Sequence, residues 1–292
     1  MKNSRHFIDL TQDIGFKIAF GNPDHPEITR GLIQALIPER EIKKVELLNT
    51  ELVPEQDGDK RMNFDVRCID RDGNSFVCEM QKVKYDYFPD RLMSYSGDPL
   101  KRLLKRGQAY DTIRPLYMIN VLDYYLDSDH SELVRTAHVK LDDNNKILSD
   151  KLNYVFLQLP AAKELERDQE FIEQLAFVIR NMKTFRELPE ELAGNGYFSE
   201  LADVADRSYI REEQLQLYDY MIRDEIQIKA ERDYAVRIAA EEAMKAGMEK
   251  GMEKGMEKEQ ARIAFTLKSM GMSKEDIVKA TGLPLEVVES LC

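Results

Sequence analysis

Apolar positions near the start of the chain recur at helical spacing. Asp13, Phe16, Lys17 and Phe20 fall at i, i+3, i+4 and i+7, which predicts a helix within residues 9–20 with Phe16 and Phe20 in the core. Ile28, Leu32 and Leu36 predict a second helix over 26–37, stopped by Pro38. Val45 to Val53 is strand-like, and Pro54 to Lys60 is a polar loop. The period then changes to two. Residues 62–69 and 75–83 read as a hairpin around the turn Asp70-Arg71-Asp72-Gly73-Asn74. Strict alternation puts Phe64, Val66, Cys68, Phe76, Cys78 and Met80 on one face, and Asp65, Arg67, Glu79 and Gln81 on the other. If the register sum of the pairing is even, Asp65 and Glu79 sit opposite or diagonal to each other.

Arg91 to Tyr110 reads mainly as helix, broken or kinked at Gly97 and Pro99. Leu116 to Tyr125 is apolar on both faces, as a central strand is. Further strands are expected at about 132–140 and 152–159. After Pro160 the pattern is helical: about 164–183, 189–194, 198–207 and 210–258, with a break at Gly194-Asn195-Gly196. Within 245–258, Gly247, Gly251 and Gly255 alternate with Met248, Met252 and Met256 in a four-residue repeat. Each glycine costs a helix in water ~1 kcal/mol relative to alanine. The stripe is therefore a helix-helix contact or a flexible linker; methionine, an adaptable apolar edge, favours the contact. Ile263 to Met270 is helical with Gly271 as its stop, Ser273 caps a helix to Ala280, and Leu285 to Leu291 forms the last one. This tail is helix-turn-helix-like, but its second helix carries Glu286 and Glu289 and no Arg or Lys, which suits packing better than a major groove. The expected domains are 1–160, a helical region 161–258, and the tail 259–292.

Composition narrows the class. The chain has 292 residues, 43% hydrophobic and 33% charged, enough for a large core. No apolar run approaches the ~20 residues of a membrane span, so no membrane partner is expected. The start Met1-Lys2-Asn3-Ser4-Arg5-His6 lacks the apolar core of a signal peptide. Three scattered cysteines give neither a disulfide framework nor zinc spacing, and Cys68 and Cys78 fall on the apolar face of the hairpin. These features point to the reducing cytoplasm. Net charge is −12, but residues 1–120 hold 19 basic and 19 acidic groups, so the excess lies entirely in 121–292. Lys101, Arg102, Lys105 and Arg106 cluster at helical spacing in the neutral part and are candidates for DNA phosphates, or a solvated helix face.

The hairpin carries the chemistry. Two facing carboxylates repel by roughly 0.2–1 kcal/mol in a sheet. A divalent cation between them turns that repulsion into a binding site. An ordinary solvated polar face explains the same residues, and the hairpin alone leaves both readings open. His6, His25, His130 and His138 show no metal or catalytic spacing.

Further residues extend the pattern: Asp13-Ile14-Gly15-Phe16-Lys17-Ile18-Ala19-Phe20-Gly21, Lys60-Arg61-Met62-Asn63-Phe64-Asp65-Val66, Phe76-Val77-Cys78-Glu79-Met80-Gln81, Arg91 with Tyr95, and Gly107-Gln108-Ala109-Tyr110 leading into Tyr117 to Asp123. In that order they resemble the PD-(D/E)XK nuclease superfamily. The likeness is closer to its Rpn group, the recombination-promoting nucleases also described as transposases. The resemblance implies an α/β fold with a restriction-endonuclease-like core, helix-β-β-β-helix-β, and an α-helical C-terminal region. It implies a Mg²⁺-dependent (or Mn²⁺-dependent) endodeoxyribonuclease acting on DNA in recombination or in mobile-element or phage-related processing. Asp65 and Glu79 map to its motif acids and would ligate the metal with the backbone carbonyl of Met80. Asp65, Glu79 and Gln81 are then the catalytic candidates. The superfamily more often has lysine where this chain has Gln81, a neutral amide that orients water without lowering its pKa; Lys84 is a candidate substitute cation, while Lys82 points to the other face. Asp13, Arg91 and Tyr95 are possible supporting residues. The contrasting reading is a weakly active or inactive nuclease fold serving as an oligomerising interaction module, with self-association through the C-terminal helical region expected in either case.

Overall fold

The computed structural model describes residues 5–52, 62–104, 107–129 and 131–290. The chain divides into two compact units, one up to Met221 and one from Ile222.

The first unit opens with α1 (Asp13–Phe20) and α2 (Pro26–Leu36). Phe16 and Phe20 are fully buried and stack at 4.4 Å. The stretch expected as one strand is two, β1 (Val45–Leu47) and β2 (Glu51–Leu52). β2 pairs with β3 (Met62–Asn63) as a separate two-stranded sheet. The hairpin is β4 (Val66–Asp70) and β5 (Ser75–Gln81). In its turn, Asp70 accepts from the N–H groups of Asp72 and Asn74 (2.9 and 2.8 Å), and Gly73 takes the left-handed conformation at φ +81° that glycine tolerates.

α3 (Phe88–Arg102) follows, then β6 (Leu116–Leu122), β7 (Val134–His138) and β8 (Leu152–Gln158). α3 runs through Gly97 and Pro99 without the expected break. Pro99 lies in its last turns, where the lost N–H interrupts few helical bonds, and its ring is buried. The six-stranded sheet has the order β1-β4-β5-β6-β8-β7, with β5, β6 and β8 mutually parallel and the remaining pairs antiparallel. Every residue of β6 is buried, as its double-sided apolar pattern requires.

Two layers of helix cover the sheet. On one face Phe88 of α3, with Leu92, Tyr95 and Leu100, packs on Val77, Met118, Leu122 and Phe156. Phe64 belongs to this layer and not to the face of Val66 and Cys68 that strict alternation assigns it. The chain bends at Phe64–Asp65 between β3 and β4, and the bend breaks the period-two count. The opposite layer holds α1 on β5, and α2 packed against β1, α4 (Phe171–Asn181) and α5 (Gly196–Ala205). The helices after Pro160 as far as α5 thus belong to the same unit as the sheet. Gly31 on α2 permits this contact: a Cβ there would lie 2.1 Å from the Tyr197 ring. Cys68 and Cys78 are buried, and burial lifts the Cys68 thiol to about 12, so both behave as small apolar groups.

α6 (Glu212–Ser269) begins in the first unit, where the Tyr218 hydroxyl accepts from the Asp9 N–H at 2.8 Å, and continues into the second. It passes through the glycine-methionine repeat and through residue 258 without interruption, so the helix expected from Ile263 is its end. In the second unit, α7 (Lys274–Thr281) is capped by Ser273, whose side chain accepts from the Asp276 N–H. Together with α8 (Leu285–Ser290) it closes a small core of Ala264, Ile277 and Val288.

Candidate active site

The β4-β5 register decides the central pair. Val66 faces Cys78 and Arg67 faces Val77, so one further step puts Asp65 opposite Glu79. Hydrogen bonds tie the two together. The Met80 N–H donates to Asp65 Oδ2 (2.8 Å), and the Asp65 N–H donates to Glu79 Oε1 (3.3 Å). The bend before β4 frees these backbone groups for side chains.

The β5 half of the hairpin's polar face is buried, while Asp65 and Arg67 on the other half are partly exposed. Glu79 is 6% and Gln81 8% exposed, because α3 lies over them. That removes the bland explanation left open by the pattern. Burial of two adjacent acids disfavours their charged forms. Asp65 is pushed up to about 7, chiefly by burial and further by Asp13, while the Met80 N–H, Lys17 and Arg91 pull it down. Glu79 is raised well above the usual carboxylate range by burial and by Asp65, with Arg91 opposing.

A small pocket adjoins the pair, lined by Glu79, Gln81, Arg91, Leu92, Tyr95 and Asn120 among others. Gln81 Nε2 lies 3.4 Å from Glu79 Oε2. The Arg91 guanidinium sits 4.8 Å over the Tyr95 ring, and Tyr95 meets Phe64 edge-on at 5.5 Å. α3 therefore brings Arg91 and Tyr95 to the same pocket as Glu79 and Gln81. Asp13 is exposed on α1 and bears electrostatically on both acids. It does not join them as a cluster: among the described residues no three His, Cys, Asp or Glu side chains come together closely enough to hold a metal ion.

The other candidates lie apart from the pair. Lys101 and Arg102 end α3, where Arg102 pairs with Asp98 at 2.9 Å. Lys105 and Arg106 lie outside the described residues, as does His130. The Lys84 ammonium donates to the carbonyls of Tyr125 and Leu126 (3.2 and 2.8 Å). Lys82 bears on Asp123. His25 contacts Glu200 at 2.8 Å.

Two neighbours escaped the sequence reading. Lys17, four residues after Asp13 on α1, donates to Thr50 Oγ1 (3.2 Å) and its charge bears on Asp65. The i, i+4 spacing from Asp13 was the available signal. Asn120 faces Glu79 in the parallel β5-β6 register and is 2% exposed, with its amide on the Met118 carbonyl. A polar side chain in an otherwise apolar central strand marked it.

Among the described residues, no helix is long and apolar enough to cross a membrane. No curated protein and no solved structure matches the chain. A family model described as PD-(D/E)XK nuclease family transposase matches residues 10–241, which span both acids, their covering helix and the whole six-stranded sheet. The chain belongs to that nuclease family.

Proposed function

We propose that the chain is a metal-dependent endodeoxyribonuclease in which Asp65 and Glu79, with the Met80 carbonyl, hold a Mg²⁺ or Mn²⁺ ion. The observation that carries this reading is the meeting of two carboxylates across β4-β5, Glu79 buried beneath α3 and Asp65 half-buried beside it. The donor set fits: hard oxygens select Mg²⁺-like ions, and two acids forced together out of water gain most from a cation. The order α2, β1, β4, β5, α3, β6, with β2-β3 inserted, supports a restriction-endonuclease-like core.

When bound, the ion polarises a phosphoryl oxygen and lowers the pKa of a water. Gln81, beside Glu79, orients the attacking water through its amide. It brings no charge, so the positive field comes from other elements. Lys17 from α1 and Arg91 from α3 are the cations that bear on Asp65, and both stabilise negative charge developing on the phosphate. Tyr95 holds the Arg91 guanidinium against its ring. Asp13 adds negative potential at Asp65. Lys101 and Arg102, at the end of α3, are assigned to DNA phosphates away from the acids; Lys105 and Arg106 remain phosphate candidates from the sequence alone. The family's description suits work on mobile or recombining DNA.

A plasmid-nicking assay on wild type and Asp65→Asn across Mg²⁺, Mn²⁺ and Ca²⁺ tests the assignment. Metal-dependent nicking by the wild type alone is expected; equal nicking by the variant overturns it.

We also infer self-association through α6. Met244, Met248, Met252 and Met256 are each 59–72% exposed along one helix, and a Cβ on Gly247, Gly251 or Gly255 would meet nothing within 4 Å beyond its chain neighbours and the helix's own backbone. Sedimentation of the full chain should give a mass above the 33.9 kDa monomer, falling to the monomer when the four methionines become glutamine. A wild-type monomer removes this part of the reading.

A further inference from the structure

Resting on the nuclease reading, we propose that Tyr85 and Tyr87 form a stacking platform for an unpaired nucleobase, so that the preferred substrate is DNA with an unstacked base beside the cleaved bond. The two rings lie in the segment between β5 and α3. Their centroids are 5.2 Å apart and their planes 18° from parallel. Tyr87 is 57% exposed, whereas its neighbour Phe88 is 4% exposed and anchors α3 in the core. The sheet-to-helix junction is therefore held by Phe88, and the outer Tyr87 ring packs on Tyr85 with its own surface left to solvent.

The segment is anchored at both ends in the active site. Gln81, which precedes it, and Phe88, which follows it, line the same pocket as Glu79. Tyr87 is one peptide step, about 3.8 Å between Cα atoms, from Phe88. The Arg91 N–H donates to the Tyr87 carbonyl at 3.0 Å, which fixes the platform to the helix that presents Arg91. Tyr124 continues the aromatic strip: its ring meets Phe88 edge-on at 6.1 Å, and its buried hydroxyl has no hydrogen-bond partner among the described residues.

Recession of Glu79 and Gln81 supplies the second argument. With these two 6% and 8% exposed and Asp65 only half-buried at the outer side of the pair, a phosphodiester that reaches Glu79 leaves the smooth path of a duplex and turns in beneath the rim of α3. A strand with a base out of the stack bends readily, since enzymes that extract a base work against unpairing and unstacking. A ready-made aromatic face beside the pocket offsets that cost, because every base has a π-face.

The test uses the full chain carrying Asp65→Asn, so that binding is read without cleavage. The probes are a fluorescein-labelled single strand, the matching duplex, and the duplex with one mismatched 2-aminopurine. Tyr87→Ala in this background is expected to weaken single-strand and mismatch binding by roughly 5- to 150-fold. Tyr87→Phe should stay within about twofold of its parent, and the duplex should change by about twofold or less. The 2-aminopurine emission should be quenched by the parent and by Tyr87→Phe, and recover with Tyr87→Ala. Unchanged single-strand binding by Tyr87→Ala overturns the platform, as does an equal loss with Tyr87→Phe or on duplex. If the parent binds duplex without preference for unpaired DNA, the platform fails while the nuclease reading stands. If it binds no DNA of any form, the nuclease reading itself fails.

Discussion

Asp65→Asn should stabilise the metal-free protein, and the gain should depend on pH in a defined direction. Burial and the neighbouring acids lift Asp65 from 3.8 to about 7 in the folded state. Between those values the folded state binds more protons than the unfolded one, so stability falls as pH rises. The penalty is absent below the unfolded pKa and complete above the folded one. At about 1.4 kcal/mol per unit, roughly three units set a ceiling of ~4 kcal/mol at pH 8. Screening at the partly exposed Asp65 reduces the expected gain to about 1–3 kcal/mol. Asparagine keeps an oxygen for the Met80 N–H and adds no volume, so the variant isolates charge. Urea unfolding in chelator should show the variant more stable at pH 8 and the two proteins nearly equal at pH 4. Mn²⁺ at about a thousand times its Kd should reverse the order, since it adds about 4.1 kcal/mol to the wild type alone. Equal stability at pH 8, or a gap that widens toward acid, would refute the electrostatic account of the pair.

Lys17→Met should lower kcat for plasmid nicking by roughly 10- to 100-fold, with Mn²⁺ binding by calorimetry retained; unchanged kcat would remove Lys17 from the reaction. Acid should unfold the first unit through its tethers: Lys183 holds Asp9 (2.7 Å), and Arg5 and Ser208 hold Asp206, and the pKa of both acids is lowered. Their contribution is present above about pH 4 and is lost as pH falls through the depressed folded values. Lys183→Met, which removes a charged hydrogen bond to a largely buried carboxylate, should cost about 1.5–3 kcal/mol at pH 7 by denaturant titration, and the cost should shrink as pH falls below about 4.

Local pattern made much of the sheet and its helices legible. The double-sided apolar run at 116–122 identified the central strand, and Gly73 marked the hairpin turn because its backbone occupies a region that glycine tolerates. What alternation could not see was a covering helix. Asp65, Arg67, Glu79 and Gln81 look in sequence like the wet side of a hairpin, and only the packing of α3 on Val77 and Met118 buries Glu79 and Gln81 and leaves Asp65 half-covered beside them. Phe64 was misassigned for a related reason: a bend one residue before β4 resets the count, and nothing in the residue types announces it. Lys17 and Asn120 are brought to the acids by long-range packing of α1 and by parallel register with β6, neither of which a local period encodes.

The neutral Gln81 has a consequence for how the site comes into being. A lysine two residues after Glu79 would carry its charge on the same strand as one of the acids, whatever the rest of the chain does. Here the opposing cations come from elsewhere: Lys17 from a helix 48 residues before Asp65, and Arg91 from the helix after β5. Until α1 and α3 have docked, Asp65 and Glu79 have neither the burial that raises their proton affinity nor the charges that oppose it. The site therefore has no partial form on the hairpin alone. Its electrostatic character belongs to the whole first unit, and loosening α1 or α3 at a distance from the acids should reduce metal affinity and cleavage together.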